Sequence, residues 1–131
     1  MRTIQPEIMI FSVFQSSRPI TSNIVEHNAT IMQLKGLKIP YLELEGYYKG
    51  IGEKSILVQG FEHRQIVEDF VKVHNQEYYL ESHNDRISYL VCPDGTKTLI
   101  GKLVNVSKIE ALKEDNYSYN PVTNEYFITR F

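Results

Sequence analysis

Residues 7–14, Glu-Ile-Met-Ile-Phe-Ser-Val-Phe, form a nearly continuous apolar run of strand length. A half-exposed strand alternates apolar and polar residues; one that does not alternate is covered on both faces. Whatever fold the chain adopts must therefore bury this segment from two sides. Ser16-Ser17-Arg18-Pro19 ends the run. Asn23 with Glu26 three residues later then resembles a capping pair, and Ile24, Asn28, Ile31 and Leu34 follow at helical spacing as far as Gly36.

Residues 40–48 and 54–61 read as two strands around a turn with three glycines, Gly46, Gly50 and Gly52. Glu62–Asn75 is a second helix, with Ile66, Val67, Phe70, Val71 and His74 on its apolar stripe. Glu77–Ser82, Arg86–Cys92 and Thr98–Val106 are strand-like, the last two joined by Pro93-Asp94-Gly95. The order β-α-β-β-α-β with appended strands predicts an α+β fold: a ferredoxin-like split βαβ sandwich, with two helices on one face of an antiparallel sheet.

The chain is a single domain over residues 1–131, with a core at about 7–106. Its segment 113–131 is either a terminal hairpin around Asn120–Asn124 or an arm reaching a neighbour. Two helices cover one face of such a sheet, so the other face needs that segment or a second copy of the chain, which makes a homo-oligomer plausible.

A net charge of −2 argues against a general nucleic-acid binder, and no apolar run is long enough to span a membrane. The lone Cys92 precludes an intrachain disulfide framework and suits a reducing cytoplasm. The four histidines show no metal-ligand spacing, and no phosphate loop or nucleophile elbow is present, so neither metal nor cofactor is expected. The candidate chemistry gathers at the glycine turn. There Glu53 starts a strand that pins its position, and alternation sends one of Tyr47 and Tyr48 inward. A solvated carboxylate and ordinary strand tyrosines are the plain alternatives.

Over about residues 9–106 the sequence resembles the small phage enzymes that degrade S-adenosylmethionine (SAM), the SAM lyases once called SAM hydrolases. Ser12-Val13-Phe14-Gln15-Ser16 resembles the Ser-Ala-Phe-Arg-Ser that ends the family's first strand. Gly46-Tyr47-Tyr48-Lys49 resembles its Gly-x-Tyr-Arg turn, and Glu53-Lys54-Ser55-Ile56-Leu57-Val58 the strand start that carries its essential glutamate. Gln76-Glu77 and Leu90–Gly95 fall at corresponding places. Gln15 stands where the family has arginine, and the turn between tyrosine and glutamate is shorter. An uncharacterised bacterial domain family with a Gly-x-Tyr-x-Gly…Glu-x-Ser pattern has a similar outline.

The resemblance implies a ferredoxin-like homotrimer in the host cytoplasm, with its site between subunits and an anti-restriction role. It implies cleavage of SAM to 5′-methylthioadenosine and L-homoserine lactone, the substrate's own carboxylate displacing the thioether. Glu53 and Tyr48 would be catalytic; Tyr47, Ser12, Phe14, Gln15 and Ser16 would bind substrate. The other expectations are a true hydrolase, with Glu53 as base for water, and a non-catalytic interaction module using exposed tyrosines and the C-terminal segment.

Overall fold

The computed structural model describes residues 7–48 and 51–131, with Tyr48 described by its backbone alone. In chain order the elements are β1 (Ile8–Phe11), α1 (Ile20–Gly36), β2 (Tyr41–Tyr48), β3 (Ile51–Gln59) and α2 (Arg64–Val73), preceded by a 3-10 turn at Phe61–His63. There follow β4 (Tyr79–Ser82), β5 (Ile87–Val91), β6 (Lys97–Val106), the short α3 (Lys108–Ala111), β7 (Asn116–Asn120) and β8 (Glu125–Arg130).

The strands close into one antiparallel barrel in the order β1-β3-β2-β7-β8-β6-β5-β4, with β4 pairing back onto β1. This overturns the α+β, ferredoxin-like sandwich. The sheet does not stop at β2 and β4 as two free edges. The hairpin of β7 and β8 pairs with β2 on one side and β6 on the other, and β5 joins β6 to β4. Residues 113–131 therefore form the hairpin, and it completes the barrel wall.

Closure also answers the question posed by β1. Ile8 and Ile10 point into the barrel with Leu44, Leu57 and Leu103, while Met9 and Phe11 point outward under the helices. On the outer side Phe11 stacks on Phe70 of α2 at 5.8 Å, and Ile31 and Leu34 of α1 join the same cluster. Each such buried side chain contributes about 1.5–3 kcal/mol. The second face of the sheet is thus the barrel's own interior, and the patterning argument for a second copy of the chain loses its basis.

Bending the sheet into a cylinder takes a local break in register. It lies between Ser88 and Tyr89 on β5, opposite Gly101 on β6. Gly101 has φ +102°, and a Cβ there would meet the Arg130 carbonyl oxygen at 2.4 Å, so the corner admits only glycine.

The helix ends differ in detail from expectation. α1 starts three residues before Asn23, whose side chain is used elsewhere, and Gly36 is the last helical residue. The left-handed residue after the helix is Lys38, at φ +58°. The buried stripe of α1 is Asn23, His27, Thr30, Ile31 and Leu34, with polar groups in it; His27 reaches Glu43 of β2 at 2.9 Å. No helix among the described residues is long and apolar enough to cross a membrane.

Candidate active site

One mouth of the barrel opens into a cavity of about 930 Å³. Strand alternation decides what faces it. In β3 the inner positions are Glu53, Ser55 and Leu57, and in the paired β2 they are Gly46 and Leu44. Ser12 continues the inner side of β1 beyond Ile8 and Ile10. Leu80, Leu90, Leu103 and Phe127 make the walls apolar, and Ser118 and Thr129 of the closing hairpin add hydroxyls.

The only charged residues around the cavity, among those described, are Arg18, Glu53 and Glu77. Burial raises the Glu53 pKa above the ordinary glutamate value, and the nearby Ser12 hydroxyl opposes that rise. Ser12 Oγ donates to the Lys54 carbonyl oxygen at 2.8 Å and accepts from the Phe14 N–H at 3.1 Å, which fixes the turn out of β1. The Ser55 hydroxyl is buried and has no hydrogen-bond partner among the described residues.

Of the residues singled out in the sequence, Ser12, Phe14, Gln15, Ser16, Tyr47 and Glu53 all line this cavity. They come from two stretches of the chain, the end of β1 and the β2–β3 hairpin, brought together because β1 pairs with β3. Tyr47 lies on the outer side of its strand, at the rim: its ring covers Gly52 across the ladder and stacks on Tyr117 at 5.0 Å. Tyr48 pairs with Ile51 in the ladder, and its side chain lies outside the described residues.

Sequence reasoning missed the frame that holds the rim. Asn23, reaching back from α1, accepts from the Gln15 N–H at 2.9 Å and donates to the Gln15 carbonyl at 3.0 Å. The Gln76 side chain donates to the Phe14 carbonyl, Gln15 donates to the His74 carbonyl, and Arg18 donates to the Val13 carbonyl. Burial and the adjacent Arg18 charge both lower the His74 pKa, with Glu26 opposing them. The loop after β1 is therefore a fixed wall. The inner-facing pair Glu53 and Ser55 could have been found from their spacing, since residues two apart on a strand share a face.

A second polar cluster lies on the outer wall, and its Tyr79 also borders the cavity. Fully buried Glu81 pairs with Arg64, with His83 at 2.8 Å and with Lys97 at 2.9 Å. Burial alone would raise its pKa, but these hydrogen bonds and the Arg64 charge prevail and hold it at about 2. Tyr79 donates to Glu68 at 3.1 Å and accepts from Arg64; its burial pushes the phenol up to about 12. Arg64 also lies over the Phe61 ring at 4.5 Å, so the cluster ties α2 to the barrel.

Among the described residues, no group of three His, Cys, Asp or Glu side chains comes together to hold a metal. The chain matches no protein-family model and no curated protein. Function must therefore be argued from the cavity: a sizeable, largely apolar pocket with one inward carboxyl and several hydroxyls, the usual make-up of a small-molecule site.

Proposed function

We propose that this chain degrades SAM by intramolecular displacement, with Glu53 orienting the substrate. The observation that carries the reading is the convergence of Ser12, Phe14, Gln15, Ser16, Tyr47 and Glu53 on one cavity. Fold alone does not decide function, so the change of architecture leaves the chemistry open.

In the reaction the substrate carboxylate attacks the carbon bonded to sulfur, the C–S bond breaks, and its electron pair stays on sulfur. The products are neutral 5′-methylthioadenosine and homoserine lactone, with no proton gained or lost. Opposite charges cancel on the way to the transition state, so an apolar, water-poor wall favours reaction. The protein has mainly to curl the methionine tail into attack geometry, an effect worth up to ~7–11 kcal/mol. A carboxylate set against the sulfonium would stabilise the substrate over the transition state. Glu53 is therefore assigned to the substrate ammonium, and the fixed Ser12–Ser16 turn to the adenine edge. Tyr48 remains the proposed sulfonium neighbour, at ~0.5–2 kcal/mol for a cation–π contact. The homotrimer and the cytoplasmic setting belong to the same reading; the mass of the particle in solution tests the former.

The test is incubation of purified protein with SAM, followed by chromatography and mass spectrometry. Methylthioadenosine with the lactone supports the reading, and unchanged SAM overturns it. Homoserine carrying labelled solvent oxygen, formed while added lactone survives, would mean hydrolysis instead.

A second reading, an interaction module, is favoured by one observation. The rings of Tyr47, Tyr117, Tyr126 and Tyr119 run in contact across the outer side of β2, β7 and β8, with neighbouring centroids 4.5–5.9 Å apart. Such surfaces suit protein partners. This reading predicts that SAM neither binds nor is consumed.

A further inference from the structure

The Ser55 hydroxyl is a feature of the cavity that its own surroundings do not explain. Ser55 is 7 % exposed, lines the cavity, and its Oγ has no hydrogen-bond partner among the described residues. A buried hydroxyl without a partner weakens the empty protein, so its presence calls for something that pairs with it.

Its neighbours indicate what that is. Ser55 shares the inner face of β3 with Glu53, about 7 Å along the strand. Opposite Glu53 in the ladder stands Gly46. A Cβ at Gly46 would lie 3.9 Å from Ser55 Oγ and 3.6 Å from the Glu53 carbonyl oxygen. Those are ordinary contacts and the Gly46 φ is not positive, so the backbone does not demand glycine there. What glycine leaves out is a methyl group over the hydroxyl.

We propose that Ser55 Oγ, the Glu53 carboxylate and the space over Gly46 form the seat of a primary ammonium group of the ligand. An ammonium has three donors and no acceptor, and it finds here a carboxylate and a hydroxyl oxygen to accept from it. An anionic group would instead meet Glu53. Arg18, the one cation at the cavity among the described residues, gives its Nη2 to the Val13 carbonyl beside His74, and its Nε is buried without a partner among the described residues. The inference rests on the SAM reading and extends it: Ser55 is the residue that selects the amino group of the methionine tail.

The test compares wild type, Ser55→Ala and Gly46→Ala. SAM turnover is measured, along with calorimetric binding of SAM and of methylthioadenosine, which has no ammonium, and thermal melting. Loss of a hydrogen bond to a charged group should raise the KM for SAM about tenfold in Ser55→Ala. Methylthioadenosine should bind as before, and the melting temperature should hold or rise, because the hydroxyl has no protein partner to lose. Gly46→Ala should give the same split by filling the space. If Ser55→Ala handles SAM like wild type, or weakens both ligands equally, the ammonium seat is overturned and the SAM reading stands. If wild type neither binds nor consumes SAM, both fall together.

Discussion

The Ser12 hydroxyl stands beside the Glu53 carboxyl and opposes the rise that burial imposes on its pKa, and the same hydroxyl donates to the Lys54 carbonyl at 2.8 Å. One of the two lone pairs on Ser12 Oγ is taken by the Phe14 N–H. Burial prevails over the Ser12 hydroxyl, so the proton stays on Glu53 to a higher pH than on an ordinary glutamate. An arriving cation displaces it.

The acid limb of kcat/KM for SAM should accordingly lie above 4.5, the ordinary glutamate value, with activity rising as pH rises through the Glu53 pKa. Glu53→Gln should abolish that limb and lower turnover about 100-fold or more. A raised folded pKa means that ionisation costs the folded state as pH rises through it. The glutamine variant should therefore melt no lower than wild type at pH 7. A clear drop in melting temperature would make Glu53 structural.

Asn23→Ala should loosen the rim. The side chain is 5 % exposed and holds both backbone groups of Gln15. Leaving them unpaired should cost about 1–3 kcal/mol in denaturant unfolding. Steady-state kinetics should show KM for SAM rising more than kcat falls, since the chemistry-bearing groups of β3 are untouched.

Glu81 governs acid stability with the opposite sign to Glu53. Its folded pKa, held at about 2, lies below the unfolded value of 4.5. Its contribution is present in full above 4.5 and is lost as pH falls towards 2, on the order of 3 kcal/mol. Urea melts at pH 7 and pH 3 should show the loss. Glu81→Gln should remove this pH dependence and cost about 3–5 kcal/mol at pH 7, because it leaves Arg64 and Lys97 without their counter-charge.

Gly101→Ala should destabilise the barrel by about 3 kcal/mol or more, because positive φ and backbone contact act together. Gly46→Ala is the control, since its added methyl meets ordinary contacts. Parallel denaturant curves of the two variants make the comparison.

Periodicity made β1 to β6, both main helices and the two-sided burial of β1 legible, left residues 113–131 open between a hairpin and an arm, and the resemblance pointed to residues that share a cavity. What it could not supply is which strand lies beside which. Alternation in Glu125–Arg130 assigns faces, but the pairing of β7 with β2 joins segments far apart in sequence through hydrogen bonds that any residues can make. The corner at Gly101 reads in sequence as a lone glycine within a strand. Asn23 misleads for a different reason: the Asn-x-x-Glu spacing of a helix cap is present, but its amide is occupied by Gln15. Ser55 reads in the sequence only as part of a motif, because whether a hydroxyl lacks a partner is a property of the closed wall.

Closure by β7 and β8 has a kinetic side. These strands follow all the others along the chain, so during synthesis β2 and β6 are open edges until the hairpin arrives. Unpaired edges are where chains join one another, and pairings between distant segments form slowly. The same hairpin carries Ser118, Phe127 and Thr129 into the cavity. The contacts that complete the cavity wall are therefore the same ones that cover the edges of β2 and β6.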